Sequence, residues 1–288
     1  MGKIRAFLDL IKFEHTIFAL PFAYLGMLLA ARGWPGWDKL IWISVAMASA
    51  RTLAMAFNRI ADRWWDARNP RTCQRPLVTG AISLQTAWAG TLISLLVLVF
   101  AAWRLGPLPL ILLPGALVFL VSYSYTKRFT SLSHFILGFT DGLAPAGAWV
   151  AVTGSLFSAA DLPAWLLTAI VTLWIGGFDL LYACQDIDFD RQYGLHSIPA
   201  ERGVTFALSF SIICHIVMVI LLLGLGQSTG LTWPYYFGLI ITAGLLVVEH
   251  RLVKPDDLSR INQAFFNINS AIAITLFIGV LLGMAPAR

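Results

Sequence analysis

Asn58, Asp62 and Asp66 recur every four residues within RTLAMAFNRIADRWWDARNPRTCQR, the stretch from Arg51 to Arg75. On a helix that spacing turns all three toward one side. A second acidic stretch, FDLLYACQDIDFDRQYG, carries Asp186 and Asp190, again four apart, with Asp179 and Tyr182 earlier on the same stripe. Asp188 alternates off the stripe and is assigned to solvent or to a secondary role. Oxygen donors of this kind suit a hard cation such as magnesium, which takes few protein ligands and completes its shell with water and phosphate. Two such sets on facing helices could grip two ions and, through them, a diphosphate. The ordinary alternative is pairing of Asp62 and Asp66 with Arg59, Arg63 or Arg71 at a headgroup boundary. Two motifs of matched spacing on one face argue for the cation-binding arrangement.

Basic residues accompany the acids. Arg59 follows Asn58, Arg71 and Arg75 lie in RTCQRPL, and Lys127 and Arg128 in YSYTKRFT. All five are candidates for holding phosphate or substrate, arginine through a bidentate fork and lysine as a point charge. A positive-inside bias would also put basic residues at these helix ends. Arg51, seven residues before Asn58, falls inside an apolar run, where an ionisable group is costly and marks function. Its structural alternative is a partner for backbone carbonyls or for Glu14. Asp141 is a further intramembrane carboxylate, close to Pro145. Glu14 and His15 open the first apolar run and could reach the mouth of a cavity. His134, His196, His215 and His250 share no spacing, and His215 reads as a hydrogen-bonder between helices rather than a ligand.

The elements that must position these residues follow from composition. The 288 residues are 58% hydrophobic and 12% charged, with a mean hydropathy of +0.77. Soluble domains carry about 25% charged residues, so the chain is a polytopic membrane protein. Its net charge of +5 is dispersed between apolar runs, which excludes a nucleic-acid patch and suits loops facing anionic lipid. The three cysteines, Cys73, Cys184 and Cys214, have no CxxC spacing and imply neither a disulfide framework nor a zinc site. The N-terminus lacks a small-residue cleavage site, so the first apolar run is expected to remain as a helix.

Apolar runs of spanning length cover residues 15–31, 39–57, 84–102, 107–125, 135–153, 163–182, 204–224, 231–249 and 266–284. The expected fold is therefore all-α, a membrane bundle of about nine transmembrane helices around a central cavity. Pro107, Pro109 and Pro114 predict an irregular start to the fourth helix. Fifteen Lys and Arg residues fall on the N-terminal face against four on the other. That places the N-terminus, the acidic stretches and the cavity opening in the cytoplasm, with the chain in the inner membrane. Each acidic stretch closes an even-numbered run, four helices apart. A single domain of two four-helix halves, 13–130 and 131–250, plus a last helix at 266–284, is the expected organisation.

These stretches resemble the UbiA superfamily of intramembrane aromatic prenyltransferases. NRIADRWWD matches its first motif, N-[RD]-x-x-D-x-x-x-D, and DLLYACQDIDFD looks like its second, D-x-x-Y-A-x-x-D-x-x-x-D. YSYTKRFT is similar to Y-x-x-x-K-R-x-T, and RTCQRPLVTG to R-x-x-x-R-P-L-x-x-G. The resemblance implies a nine-helix bundle, capped on the cytoplasmic side, that transfers a polyprenyl group from its diphosphate to an aromatic ring. It implies that Asn58, Asp62 and Asp66 bind one Mg²⁺ and Asp186 and Asp190 a second. Lys127 and Arg128 would bind diphosphate or aromatic acid, and Tyr182 and Asp179 would lie beside the reacting carbon. The acceptor expected is 4-hydroxybenzoate, in ubiquinone biosynthesis, with 1,4-dihydroxy-6-naphthoate of a menaquinone route as the alternative. In either case Arg51, Arg128 or Arg75 would meet the acceptor's carboxylate. A cation-coupled transporter is the reading from a different class, and clustering of the acids at one end weighs against it.

Overall fold

The computed structural model describes residues 3–284, with the side chains of residues 3, 14–19 and 265 outside that description. Glu14 and His15, expected at a cavity mouth, therefore lie outside the described side chains. Among the described residues the secondary structure is helical, with no strand. The helices are α1 (Lys3–Leu10), α2 (Phe13–Ala31), α3 (Trp37–Ala61), α4 (Arg63–Asp66), α5 (Leu84–Leu105), α6 (Pro107–Thr126) and α7 (Ser133–Thr153). They continue as α8 (Leu162–Ala183), α9 (Ile187–Tyr193), α10 (Ile198–Arg202), α11 (Val204–Thr229), α12 (Trp233–Leu252), α13 (Ile261–Gln263) and α14 (Asn269–Gly283). Eight segments among the described residues are long and apolar enough to cross a bilayer. With the 19-residue α2, they match the nine predicted runs.

Local chemistry explains the boundaries. Lys12 takes a left-handed φ of 48° and turns the chain from α1 into α2. Ser83 caps α5 by accepting from the Thr86 backbone N–H at 3.1 Å. The fourth long helix corrects an expectation. α6 begins cleanly at Pro107 and runs through Pro109 and Pro114 as one helix. Pro107 occupies the first turn, where its missing N–H costs nothing and its fixed φ suits the helix.

Both acidic stretches also differ from the single straight stripe that spacing predicts. α3 stops at Ala61, and Asp62, with φ −96° and ψ 4°, joins it to α4. α8 passes through a 3₁₀ turn at Cys184–Asp186 before α9 begins. Each motif therefore bends at an aspartate, and its last acid lies on a short helix of its own.

Packing follows the rules for helices in lipid, where no hydrophobic effect drives helix pairing and small residues permit close approach. Gly138 and Gly142 of α7 lie against α8, where a Cβ on Gly142 would fall 2.7 Å from the Thr168 carbonyl oxygen. Thr168 Oγ1 donates to the Gly142 carbonyl at 3.2 Å in the same contact. The bundle periphery is apolar, with Leu92, Ile93 and Leu96 on α5, Ile213, Ile216 and Ile220 on α11, and Ile240 on α12 exposed. Exposed Trp34, Trp37, Trp103 and Trp233 ring the end opposite the acidic motifs, as interfacial tryptophans do.

Candidate active site

Both motifs end at one polar cavity of about 160 Å³. Asn58, Asp62, Asp66, Asp186 and Asp190 line it with Arg59, Arg71, Arg75, Lys127 and Arg128. Four carboxylates thus meet five cations, and every carboxylate has a cationic partner. Arg71 forks onto Asp186 through Nε at 2.9 Å and Nη2 at 2.5 Å. Arg75 Nη1 reaches Asp66 at 2.6 Å, Lys127 Nζ reaches Asp190 at 2.9 Å, and Arg128 Nη2 reaches Asp62 at 3.3 Å. Arg59 donates to Asn58 Oδ1 at 3.1 Å, and Asn58 donates to Asp62 at 2.9 Å.

The loop from 67 to 83 makes this closure possible. It leaves α4, carries Asn69, Arg71 and Arg75 across the cavity mouth, and returns into α5. Asn69 Nδ2 donates to Asp186 at 3.0 Å, so a single loop grips both motifs. Opposite it, Ser197 Oγ donates to Asp190 at 2.7 Å while capping α10. Asn69 and Ser197 escape a reading of the sequence for chemistry. In RNPRT and HSIPAER they look like turn and cap residues, and Ser197 is also a cap.

Burial and ion pairing compete at the cavity edge. Asp62 lies just past the end of α3, and its pKa is raised above the ordinary 3.8, first by burial and then by Asp66, against the pull of Arg128. Burial works against the charge of Arg71, but its bonds to Asp186 outweigh that and raise its pKa. The donor set fits a divalent cation. It is all oxygen, and Asp190 Oδ1 is buried with no hydrogen-bond partner. A buried carboxylate oxygen left this way is costly unless a cation satisfies it.

The other candidates are divided between two neighbouring spaces. Asp179 and Tyr182 line a larger polar cavity of about 690 Å³ that also includes Asn58, Asp62, Arg71 and Asp186. Asp179 Oδ2 lies 2.7 Å from His134 Nδ1, and Tyr182 accepts from Arg71 Nη1 at 3.1 Å. Asp179 is absent from the lining of the small aspartate cavity and shares only the larger one with Asp186. Asp188 is exposed.

Arg51 belongs to a third space, an apolar cavity of about 390 Å³ lined by Ala50, Ala54, Leu98, Leu113 and Phe119. Its Nη1 lies 3.6 Å from Asp141, and its buried Nε has no partner. Tyr123 and Leu137 line both this cavity and the larger polar one, so the two adjoin. The bundle therefore sets a charged chamber at one end against an apolar chamber that contains one arginine.

Comparison with known proteins bears on the family and the fold. The model of the UbiA prenyltransferase family matches residues 19–271. A 4-hydroxybenzoate octaprenyltransferase of Methylobacillus flagellatus is 31% identical over 97% of this chain and 93% of its own length. The apo structure of a UbiA homolog from Aeropyrum pernix K1 superposes with a TM-score of 0.86 at 36% identity, over 94% of this chain and 98% of the other. A UbiA homolog from Archaeoglobus fulgidus bound to GPP and Mg²⁺ shares the fold, with a TM-score of 0.67, 18% identity and coverage of 96% and 99%.

Proposed function

The chain belongs to the UbiA prenyltransferase family, and from that premise we propose that it transfers a polyprenyl group from its diphosphate to the ring of 4-hydroxybenzoate, with two Mg²⁺ ions. The observation that carries this reading is the convergence of four aspartates and five cations on one small cavity beside an apolar chamber holding Arg51. The similarity to 4-hydroxybenzoate octaprenyltransferases supports the choice of acceptor.

Asn58, Asp62 and Asp66 would hold one ion, and Asp186 and Asp190 the other. Ions held by these residues would supply positive charge against the departing diphosphate and so favour ionisation of the allylic C–O bond. Aspartates that held metal would give up their present cationic partners. Arg71, Arg75, Lys127 and Arg128 are then free to take diphosphate oxygens at the same cavity. The apolar chamber keeps water from the allylic cation. Arg51, held loosely by Asp141, pairs with the acceptor's carboxylate and sets its ring toward Tyr123. For the ring proton, Asp179, backed by His134, and Tyr182 both line the polar cavity. The acidic end faces the cytoplasm in this reading, because the basic loops lie on its side. The acids gather at that end and do not form a relay through the membrane, as a cation carrier would require.

The test is prenyl transfer by the detergent-purified protein with geranyl diphosphate and Mg²⁺, offering 4-hydroxybenzoate and 1,4-dihydroxy-6-naphthoate separately. Mg²⁺-dependent product from 4-hydroxybenzoate, abolished by EDTA, supports the proposal. Product from the naphthoate alone overturns the acceptor, and no Mg²⁺-dependent diphosphate binding overturns the mechanism.

A further inference from the structure

Away from the acidic chamber, α11 and α12 bring together three groups: His215 on the first, Glu249 and His250 on the second. Their potential ligand atoms all lie within 4.8 Å of one another. His215 Nδ1 is 2.9 Å from His250 Nε2 and 3.7 Å from Glu249 Oε2. We propose that these three residues form a second metal site, selective for a zinc-like transition-metal cation and distinct from the magnesium chamber.

Orientation of the ligands is the first argument. His215 Nε2 faces the Trp174 carbonyl at 3.3 Å. As an N–H it donates there, which leaves Nδ1 with its lone pair directed at the cluster. A ring nitrogen fixed to a backbone carbonyl in this way is the usual outer support of a metal-binding histidine. Asn269 Nδ2 donates to Glu249 Oε1 at 2.9 Å and holds that carboxylate in turn. The other oxygen, Glu249 Oε2, is buried without a hydrogen-bond partner on a residue that is 0% exposed. Hydrogen bonding within the cluster alone leaves this oxygen unsatisfied, whereas a cation satisfies it.

Geometry is the second argument. Tetrahedral ligands about 2.0–2.1 Å from zinc stand roughly 3.3 Å from each other, and the 2.9 and 3.7 Å separations bracket that value. The space is also shaped for the ring. Gly177 of α8 lies against His215, and a Cβ there would fall 2.5 Å from His215 Nε2. The metal takes the place of the proton that bridges the two imidazoles. Two nitrogens and one carboxylate suit zinc, while magnesium prefers oxygen donors. Chemistry therefore separates the two sites even where both metals are present. Held this way, the cation ties α11 and α12 together, with α8 and α14 supporting its ligands.

The experiment loads the purified full-length protein with Zn²⁺ in the presence of excess Mg²⁺, removes free metal, and counts zinc per chain. Zinc-edge X-ray absorption then identifies the ligands. The expected result is about one zinc per chain with imidazole in its shell, in the unaltered protein and in Asp62→Asn, and about tenfold less in Glu249→Gln and His250→Gln. Chelation should lower the Tm of the unaltered protein and leave that of His250→Gln unchanged. Equal retention by His250→Gln, an all-oxygen shell, or no retention by the unaltered protein would each overturn the proposal. Should Glu249→Gln fail to fold, the absorption spectrum of the unaltered protein still decides.

Discussion

Arg71 and Asp186 stand 115 residues apart and meet through two parallel N–H···O bonds of 2.9 and 2.5 Å, with the third nitrogen of the same guanidinium on Tyr182. This fork joins the loop after the first acidic motif to the second motif. Lysine can supply the charge but not the fork. Arg71→Lys should therefore lower kcat/KM for prenyl transfer by about 10- to 100-fold, a loss of about 1.4–2.8 kcal/mol of transition-state stabilisation. Arg71→Ala should lose more, and should also lower the Tm, because Asp186 keeps only its bond from Asn69. Steady-state kinetics and thermal unfolding in detergent check both outcomes.

Removing one carboxylate from each motif tests the two-ion arrangement. Asp62→Asn and Asp190→Asn should each reduce turnover by roughly 10²–10³, the scale of losing one preorganised electrostatic contact. The half-saturating Mg²⁺ concentration should rise at the same time. Unchanged Mg²⁺ dependence in both variants would contradict their assignment as ligands.

Arg51 should act on the acceptor rather than on the diphosphate. Arg51→Met is expected to raise the KM for 4-hydroxybenzoate by about 10-fold or more, the cost of an unpaired carboxylate, with little change in the KM for geranyl diphosphate. Equal effects on both substrates would place Arg51 in a structural role with Asp141.

The raised pKa of Asp62 has two consequences for pH. Between 3.8 and its raised value the folded protein binds more protons at this site than the unfolded chain. This group's contribution to stability therefore falls as pH rises through that window. For metal binding the direction is opposite, because Mg²⁺ must displace the proton. Apparent Mg²⁺ affinity should weaken as pH falls through the raised pKa, and Asp62→Asn should flatten the profile. Mg²⁺ titrations of activity across pH would show it.

Ser197 both caps α10 and donates to Asp190. Ser197→Ala should destabilise the protein by about 1–2 kcal/mol through the lost cap and hydrogen bond. It should also reduce turnover, since Asp190 is then positioned by Lys127 without the serine. Ser197→Thr should rescue much of both effects. Thermal unfolding and turnover of the two variants check this.

Properties that depend on near neighbours in the chain are legible in the amino-acid sequence itself. Among the described residues the apolar runs form long helices because bilayer thickness dictates their length and lipid forces backbone bonds to close within each segment. The two acid pairs are visible because a helical period places residues four apart on one side. Long-range choices are not legible in this way. Local spacing puts Asp179 on the stripe of Asp186, but its partner, His134 of α7, comes from another helix 45 residues away. Nothing near Arg51 in sequence names Asp141, and nothing near His215 names Glu249 and His250. Which cation holds which aspartate is equally open in the sequence, since many basic residues border the same face. Those pairings depend on how helices cross and where loops return, which only the folded bundle decides. The physical reason is that local sequence carries the period of a helix, while the partner of a buried charge is set by whatever the packing brings within about 3 Å.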